Sequence, residues 1–339
     1  MKKQELKSLL IGNGININFG GKAYSNQFII KRIIFNARAG KYDLLFNGKM
    51  SGEQIEETFL NLAEWANAIS RGECDSVVTT EEIPLLEDFK RRYSKKVEHY
   101  YDVGLEDWLF ILHIFFLKND DLKNIWRPVK YSFEQMMLDA IYNDGDIQKI
   151  YLSMGKPVKR WLEQYDEIFT LNYDNNVESL IKKPVFHLHG DYSTPANSEN
   201  PNTILGYQRT EAHQTVVVPG FEHCYCNALF DYRGENKLQV ADGFERGKES
   251  VKRLSDSGVP ASVFPAPAAG LVQTHREHPE LEIAPTYHFD EFRKLDGEIH
   301  IIGMSPNNDG HIFKLIDQST VDKVVFYFYS ESEKKQKLP

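Results

Sequence analysis

Short, almost continuously apolar stretches rich in β-branched or aromatic residues recur along the chain. They lack the alternation of polar and apolar positions that marks a half-exposed strand, and they are typical of strands covered on both faces, as in a parallel sheet. The pattern therefore predicts an α/β fold with a doubly wound, Rossmann-like parallel sheet. Its strands are expected over residues 8–11, 167–171, 185–188, 298–302 and 323–329.

The segments between these strands show two other patterns. Apolar residues recur at three- and four-residue spacing within residues 50–150, which predicts a helical insertion between the first and second strands. Residues 147–165 indicate an amphipathic helix that returns the chain to the sheet. Residues 197–284 are richer in Gly, Pro, Ser and His and predict a loop-rich lid or insertion. We expect a single domain over residues 1–339 that contains both insertions.

Composition narrows the classes of protein. The chain has 339 residues, of which 41% are hydrophobic and 26% charged, and no apolar run approaches the roughly 18 residues that a membrane span needs. The net charge of −9 argues against a nucleic-acid-binding surface over the whole molecule. Three cysteines are too few for a disulfide framework, so we expect a cytoplasmic protein. From the apolar runs and the net charge we expect neither membrane insertion nor direct nucleic-acid binding.

The first strand ends in a glycine-rich loop. Gly12 and Gly14 flank Asn13, and Asn16 follows at the start of the next segment. Glycines leave no Cβ, so backbone amides in such a loop can approach a pyrophosphate at the beginning of a helix. A tight strand-to-helix turn would need the same residues, and the spacing differs from Gly-x-Gly-x-x-Gly.

The next two strands also end in polar residues. The second runs into Asn172 and Asp174, where an Asx-rich helix cap is the alternative interpretation. The third carries His187 and His189, which share a face if the strand runs straight, so geometry alone does not choose between them. Gly190 marks His189 as the strand-end residue and leaves room for a ligand. A metal site or a hydrogen-bonded core pair are the other interpretations of these histidines.

The fourth strand ends in Gly303 and Ser305, followed by Asp309 and His311. Gly303 permits close backbone approach, and the Ser305 hydroxyl can bind a phosphate or ribose oxygen, although an ordinary turn has the same composition. Because the carboxyl ends of parallel strands lie at one edge of a sheet, all four motifs are expected to converge on one crevice.

These motifs together resemble those of the sirtuins, the silent information regulator superfamily. Residues 12–16, Gly-Asn-Gly-Ile-Asn, resemble the sirtuin Gly-Ala-Gly-Ile-Ser loop, and residues 170–174, Thr-Leu-Asn-Tyr-Asp, resemble Thr-Gln-Asn-x-Asp. Leu188-His189-Gly190 resembles the catalytic His-Gly, and residues 303–305, Gly-Met-Ser, resemble Gly-Thr-Ser. The resemblance extends to divergent sirtuin-like domains of bacterial anti-phage systems. Abortive-infection proteins share the Gly-Asn-Gly start and the Asn-Tyr strand end, but Asp174 matches the sirtuin pattern.

The chain departs from deacylating sirtuins in its cysteines. Those enzymes share a zinc ribbon with paired Cys-x-x-Cys elements, whereas here Cys224 and Cys226 stand without a second pair. We expect no zinc ribbon and no metal, and without a peptide cleft water is the natural acceptor. The resemblance thus implies an NAD glycohydrolase (NADase), a hydrolase that cleaves NAD to nicotinamide and ADP-ribose and depletes NAD in antiviral defence.

The resemblance also assigns roles at the site. Asn172 is expected to orient the nicotinamide ribose and the attacking water, and His189 to act as a general base or as a hydrogen-bond partner of the ribose hydroxyls. NAD, the substrate, is expected to be bound by Gly12, Asn13, Gly14, Asn16, Asp174, Gly303, Ser305, Asp309 and His311.

Other activities and partners stay open at this stage. The chain could transfer ADP-ribose or acyl groups to a protein, or bind NAD or ADP-ribose without turnover. The helical insertion could serve mainly for assembly. The resemblance implies a homo-oligomer and, as a possible partner subunit, a HerA-type ATPase.

Overall fold

The computed structural model describes residues 6–193, 204, 218–230, 233–305 and 309–328. Over these residues the chain forms two compact units. One comprises residues 1–19 with 148–339, and the other comprises residues 20–147. No helix among the described residues is both long enough and apolar enough to cross a membrane.

The first unit contains a five-stranded parallel sheet, so the chain has an α/β fold with a core of the kind found in Rossmann-like proteins. The strands are β1 Lys7–Ile11, β2 Glu167–Thr170, β3 Phe186–His187, β4 Asp296–Ile302 and β5 Thr320–Tyr327. They lie in the order β3-β2-β1-β4-β5. Each predicted strand therefore exists, with shifted ends.

The central strand shows why the apolar runs form this sheet. Leu9, Leu10 and Ile11 are completely buried, although they point alternately to opposite faces. Leu10 pairs with Phe169 of β2 and with Ile301 of β4, both also fully buried. A strand covered on both faces by apolar neighbours has no exposed side, which explains the missing alternation in its sequence.

The helices of this unit occupy the segments between the strands. They are α1 Gly14–Gly20, α7 Lys156–Leu162, α8 Asn176–Ile181, α9 Glu235–Asp256, α10 Ala266–Glu277, α11 Phe289–Phe292 and α12 Gly310–Gln318. Segments of 3₁₀ helix cover Glu222–Cys224 and Ala261–Val263, and a third, Asn143–Ser153, begins in the other unit and ends in this one.

Two sequence-based expectations fail in this unit. Residues 147–165 do not form one helix, because Gly155 precedes α7 as its N-cap and Pro157 lies in its first turn, where a proline begins a helix rather than continuing one. The described part of residues 197–284 is not loop-rich, since it contains α9 and α10. The rest of that segment, residues 197–203, 205–217 and 231–232, lies outside the described residues.

The second unit is helical and begins at Gly20, well before the expected residue 50. Its core includes Phe59, whose ring centroid lies 4.8 Å from that of Trp108 and 5.7 Å from that of Phe133. A capping box between Ser51 and Gln54 fixes the start of the helix Gly52–Ser70. The helices are α2 Asn26–Arg38, α3 Gly52–Ser70, α4 Ile83–Arg92, α5 Leu105–Lys118 and α6 Trp126–Tyr142, with 3₁₀ turns at Lys22–Tyr24, Asp75–Val77, Tyr100–Asp102 and Asp120–Ile125.

Candidate functional site

The candidate site lies entirely in the first unit, at the carboxyl ends of the strands. The chain passes from β1 to β2 and β3 on one side and then crosses to β4 on the other side of β1. The connections after β1 and β4 thus leave the sheet in opposite directions, and such a switch point is where open α/β sheets bind ligands. Thr170 of β2 pairs with His187 of β3. Asn172 lies two residues after Thr170, and His189 lies two residues after His187, so both lie at this edge.

The glycines of the β1 and β4 loops pack directly against each other. The Gly12 amide donates to the Ile302 carbonyl over 2.9 Å, and the Gly14 amide donates to the Gly303 carbonyl over 2.7 Å. A Cβ at Gly12 would lie 2.6 Å from the Gly303 oxygen, and one at Gly14 would lie 2.5 Å from the Gly303 Cα. Contact between the loops therefore accounts for these glycines, and the two amides are occupied rather than turned toward a phosphate.

Asp174 joins the loops after β1 and β2. One carboxylate oxygen accepts from the Asn16 amide over 2.6 Å, and the other accepts from the backbone and side-chain amides of Asn176. Burial raises the pKa of Asp174 above its ordinary value against the opposing effect of these hydrogen bonds. Both oxygens are used within the protein, so Asp174 orders the loops. Asn16, in contrast, retains a buried carbonyl oxygen without a hydrogen-bond partner among the described residues.

Asn172 is buried, at 8% exposure, yet its side chain is loosely held. Its amide nitrogen lies 3.4 Å from the Gly12 carbonyl, near the outer limit of a hydrogen bond. Its backbone amide donates to the Thr170 hydroxyl over 3.1 Å, which fixes the main chain instead. Buried carboxamides normally satisfy their polar atoms more fully, so this one is available to a ligand at little cost.

His187 is held within the protein rather than presented to a ligand. Its Nδ1 donates to the Asn172 carbonyl over 3.0 Å, and its Nε2 contacts the Glu178 carboxylate over 2.5 Å. Burial alone would lower the pKa of His187, but Glu178, with a smaller effect of Asp191, raises it above its ordinary value. His187 is therefore a structural ion-pair partner beneath Asn172.

The His187–Glu178 pair is expected to make stability depend on pH. A folded-state pKa above the unfolded value of about 6.5 stabilises the protein below that pH, and the stabilisation is lost as pH rises through the folded pKa. Glu178→Gln removes the charge and keeps an acceptor. Urea unfolding should show the largest loss of this variant relative to wild type at about pH 6 and the smallest at about pH 9. A difference that is constant or grows with pH would contradict the ion pair.

His189 lies between two other buried groups. Its Nδ1 is 3.3 Å from the Lys237 ammonium, and its Nε2 is 3.1 Å from the Nε2 of His311. Burial, together with the charge of Lys237 and the neighbouring imidazole, lowers the pKa of His189 well below its ordinary value. Burial and Lys237 lower the pKa of His311 to about 3. Both imidazoles are therefore neutral near neutral pH, and neither nitrogen of His189 is open to a substrate in this conformation.

Within the described residues, one group of side chains has the spacing to share a metal ion, namely His189, His311 and Asp309. Their ligand atoms all lie within 4.8 Å of one another. The ring planes of the two histidines differ by 16° and the centroids are 5.3 Å apart. A nitrogen separation of 3.1 Å is close to the smallest that this centroid distance allows, so the nitrogens point at each other along one line. An ion at about 2.0–2.1 Å from each nitrogen does not fit on that line, whereas one proton does.

The remaining predicted residues lie around this centre. Asn13 and Ser305 are exposed, and Asp309 is half-buried and forms the N-cap of α12, whose second residue is His311. Residues 306–308, between Ser305 and Asp309, lie outside the described residues. Cys224 is buried and Cys226 half-buried, neither forms a disulfide, and neither belongs to the metal grouping above.

Sequence reasoning missed Lys237 altogether. Its side chain is fully buried at the start of α9, in a segment expected to be loop-rich. No motif surrounds it, and a lysine in a polar stretch is normally solvated. The tertiary contact with His189, 48 positions earlier in the chain, is what makes it part of the site.

The centre thus combines a loosely held carboxamide, a head-to-head pair of neutral imidazoles and a buried lysine at the switch point of a parallel sheet. Such a centre can orient polar ligand groups by hydrogen bonding, and its two neutral imidazoles are weak bases. In comparisons with known proteins, the chain matches no protein-family model, no curated protein and no solved structure.

Proposed function

We propose that the protein is an NAD glycohydrolase that cleaves the nicotinamide–ribose bond with water as the acceptor. The observation that carries the proposal is the buried, loosely held carboxamide of Asn172 at the sheet edge where a dinucleotide would bind. The proposal includes a Rossmann-like, doubly wound fold of the sirtuin-like kind with a helical insertion.

The reaction asks for orientation more than for strong acid–base chemistry. Cleavage passes through an oxocarbenium-like transition state, and the leaving nicotinamide is already positively charged before the bond breaks. The protein must therefore hold the ribose and a water molecule in line. The Asn172 carboxamide offers one acceptor oxygen and two N–H donors for this task. Replacing its 3.4 Å contact with the Gly12 carbonyl by a contact with a ligand loses little hydrogen-bond energy.

His189 fits an orienting role better than the role of a general base. A base with a pKa far below neutrality holds an abstracted proton poorly. Water adds to an oxocarbenium ion without prior deprotonation and then loses a proton to solvent, so the reaction tolerates the absence of a strong base. In the proposed mechanism, His189 keeps its neighbours in place while Asn172 contacts the reacting ribose.

The occupied nitrogens of His189 favour one second candidate, a module that binds NAD or ADP-ribose without cleaving it. Such a module would need the same carboxamide and imidazole hydrogen bonds but no water in line. Transfer of ADP-ribose to a protein and deacylation would need a bound acceptor, and no feature of the described residues favours one.

The biological proposal follows from the resemblance in the motifs. An NADase of this kind would deplete cellular NAD as an effector of anti-phage defence, acting in the cytoplasm as a homo-oligomer. Its activity would be controlled by a partner such as a HerA-type ATPase.

The direct test is to incubate the purified chain with NAD and to follow nicotinamide and ADP-ribose by chromatography. Equimolar release of both products is expected. Calorimetric binding of NAD without nicotinamide release would favour the binding module, and neither binding nor release would remove NAD as the ligand. The same assay with an acetyl-lysine peptide tests the deacylase alternative.

Chelation is expected to leave both the fold and NAD turnover unchanged. The two imidazole nitrogens point at each other over 3.1 Å, which is shorter than an ion bound in line to both would need, and the two neighbouring cysteines lack further ligands among the described residues. Melting temperature and nicotinamide release should therefore be equal with and without EDTA. Loss of either property in EDTA, with recovery on adding zinc, would contradict this interpretation of His189, His311 and the cysteines.

A further inference from the structure

Lys237, His189 and His311 form a buried row in which each group contacts the next. All three side chains are almost fully buried, with exposures of 0%, 3% and 4%. The Lys237 nitrogen lies 3.3 Å from the His189 Nδ1, and the two Nε2 atoms lie 3.1 Å apart. The row runs from α9 through the strand end after β3 to the first turn of α12.

The chemistry of these groups determines where each proton lies. A lysine ammonium has donors and no acceptor, so the His189 Nδ1 that faces it must accept. A neutral imidazole with an accepting Nδ1 carries its proton on Nε2, and that proton is donated to the His311 Nε2. The proton of His311 is then on Nδ1, at the far end of the row.

This last N–H has no hydrogen-bond partner among the described residues, although it is buried. Buried donors are normally paired, so the atom marks a place where a ligand acceptor belongs. An Asp309 carboxylate oxygen lies within 4.8 Å of ring nitrogens of both histidines. A carboxylate this close to the His311 ring repels an anionic phosphate. A ligand hydroxyl, in contrast, can accept from the His311 Nδ1–H and donate to the Asp309 carboxylate at the same time.

We propose that the row presents the His311 Nδ1–H to a hydroxyl of the ribose that carries nicotinamide, with Asp309 accepting from that hydroxyl. Lys237 and His189 are positioning residues that fix the His311 tautomer. The choice of this ribose rests on the proposed function and on the β2–β3 register, which puts His189 beside Asn172 at the sheet edge. The tautomer chain does not depend on the identity of the ligand.

The tautomers can be measured directly in the full-length protein with ¹⁵N-labelled histidine. Long-range ¹H–¹⁵N spectra should show His189 protonated on Nε2 and His311 protonated on Nδ1, unchanged between about pH 6 and 8 because both rings stay neutral. Lys237→Met should abolish the single tautomer of His189. A wild-type His311 protonated on Nε2 would overturn the row, whatever the protein does with NAD.

The ligand contact is tested with two amide replacements of His311. Asparagine carries its amide near the position of Nδ1, whereas glutamine carries it near Nε2. Calorimetric titration with ADP-ribose should give affinity within about threefold of wild type for His311→Asn and about tenfold weaker binding for His311→Gln. ADP, which lacks the terminal ribose, should bind both variants equally.

Each outcome separates this proposal from the proposed function. Unchanged ADP-ribose binding by His311→Gln overturns the contact, and an equal loss with ADP overturns its assignment to the terminal ribose. If the wild-type protein binds ADP-ribose as described but releases no nicotinamide from NAD, the contact stands and only the hydrolysis fails. If it binds neither ADP-ribose nor NAD, the ribose contact fails as well.

Discussion

Replacing Asn172 with alanine is expected to lower the rate of nicotinamide release from NAD by about 10²–10³ while the protein stays folded. The loss in rate is large because the carboxamide is proposed to orient both the reacting ribose and the attacking water. The loss in stability is small because the one side-chain hydrogen bond of Asn172 among the described residues is the 3.4 Å contact with the Gly12 carbonyl. Initial rates at saturating NAD and melting temperatures measure the two effects separately.

Asn175→Ala provides a matched control. Asn175 is the same residue type in the same loop, and its side chain does not cap α8. We expect this variant to retain the wild-type rate within about twofold. An Asn172→Ala variant that stays within about threefold of wild type would remove Asn172 from the mechanism. A comparable loss in both variants would indicate damage to the loop instead.

The sheet could be predicted because burial on both faces leaves a direct trace in the sequence. Residues such as Leu9 and Leu10 are apolar without alternation, and their environment in the structure is the reason. Strand ends were less predictable, since β3 is paired only at Phe186 and His187, and the apolar Val185 and Leu188 lie outside it. Hydrophobicity reports burial, while pairing also depends on the neighbouring strand.

The helices of residues 197–284 illustrate a different limit. Glycines at 243 and 247 lie inside α9, where their intrinsic propensity is poor. Packing of apolar residues of this helix, such as Val251 against Val272 of α10, compensates for that cost. Composition alone shows the unfavourable glycines and not the tertiary partner, so the sequence indicated loops.

The site residues were predictable as a set, but their individual roles were not. Asn172, Asp174, His189 and His311 all occur at strand ends or just beyond, and the sheet brings these ends together. The occupied amides of Gly12 and Gly14 depend on a loop almost 300 positions away, which local reasoning does not reach. The same holds for the engagement of both His189 nitrogens.

Gly190 to alanine is expected to destabilise the fold by about 4 kcal/mol. Gly190 has a φ of 77°, a backbone angle that residues with a side chain rarely adopt. A Cβ there would also lie 2.1 Å from the Asn227 carbonyl oxygen and 3.0 Å from the Tyr287 ring. That carbonyl accepts from the Tyr287 hydroxyl over 3.0 Å, so it is not free to move. The sequence suggested that Gly190 leaves room for a ligand, whereas backbone packing accounts for it in the structure.

Gly258→Ala separates the two parts of this cost. Gly258 has a similar φ of 70°, but nothing lies within 4 Å of its virtual Cβ, so only the conformational cost of about 1 kcal/mol applies. Urea unfolding of both variants should therefore show a difference of about 3 kcal/mol, which measures the clash with Asn227. If Gly190→Ala is as stable as Gly258→Ala but has lost affinity for ADP-ribose, the glycine serves the ligand and the packing explanation is wrong.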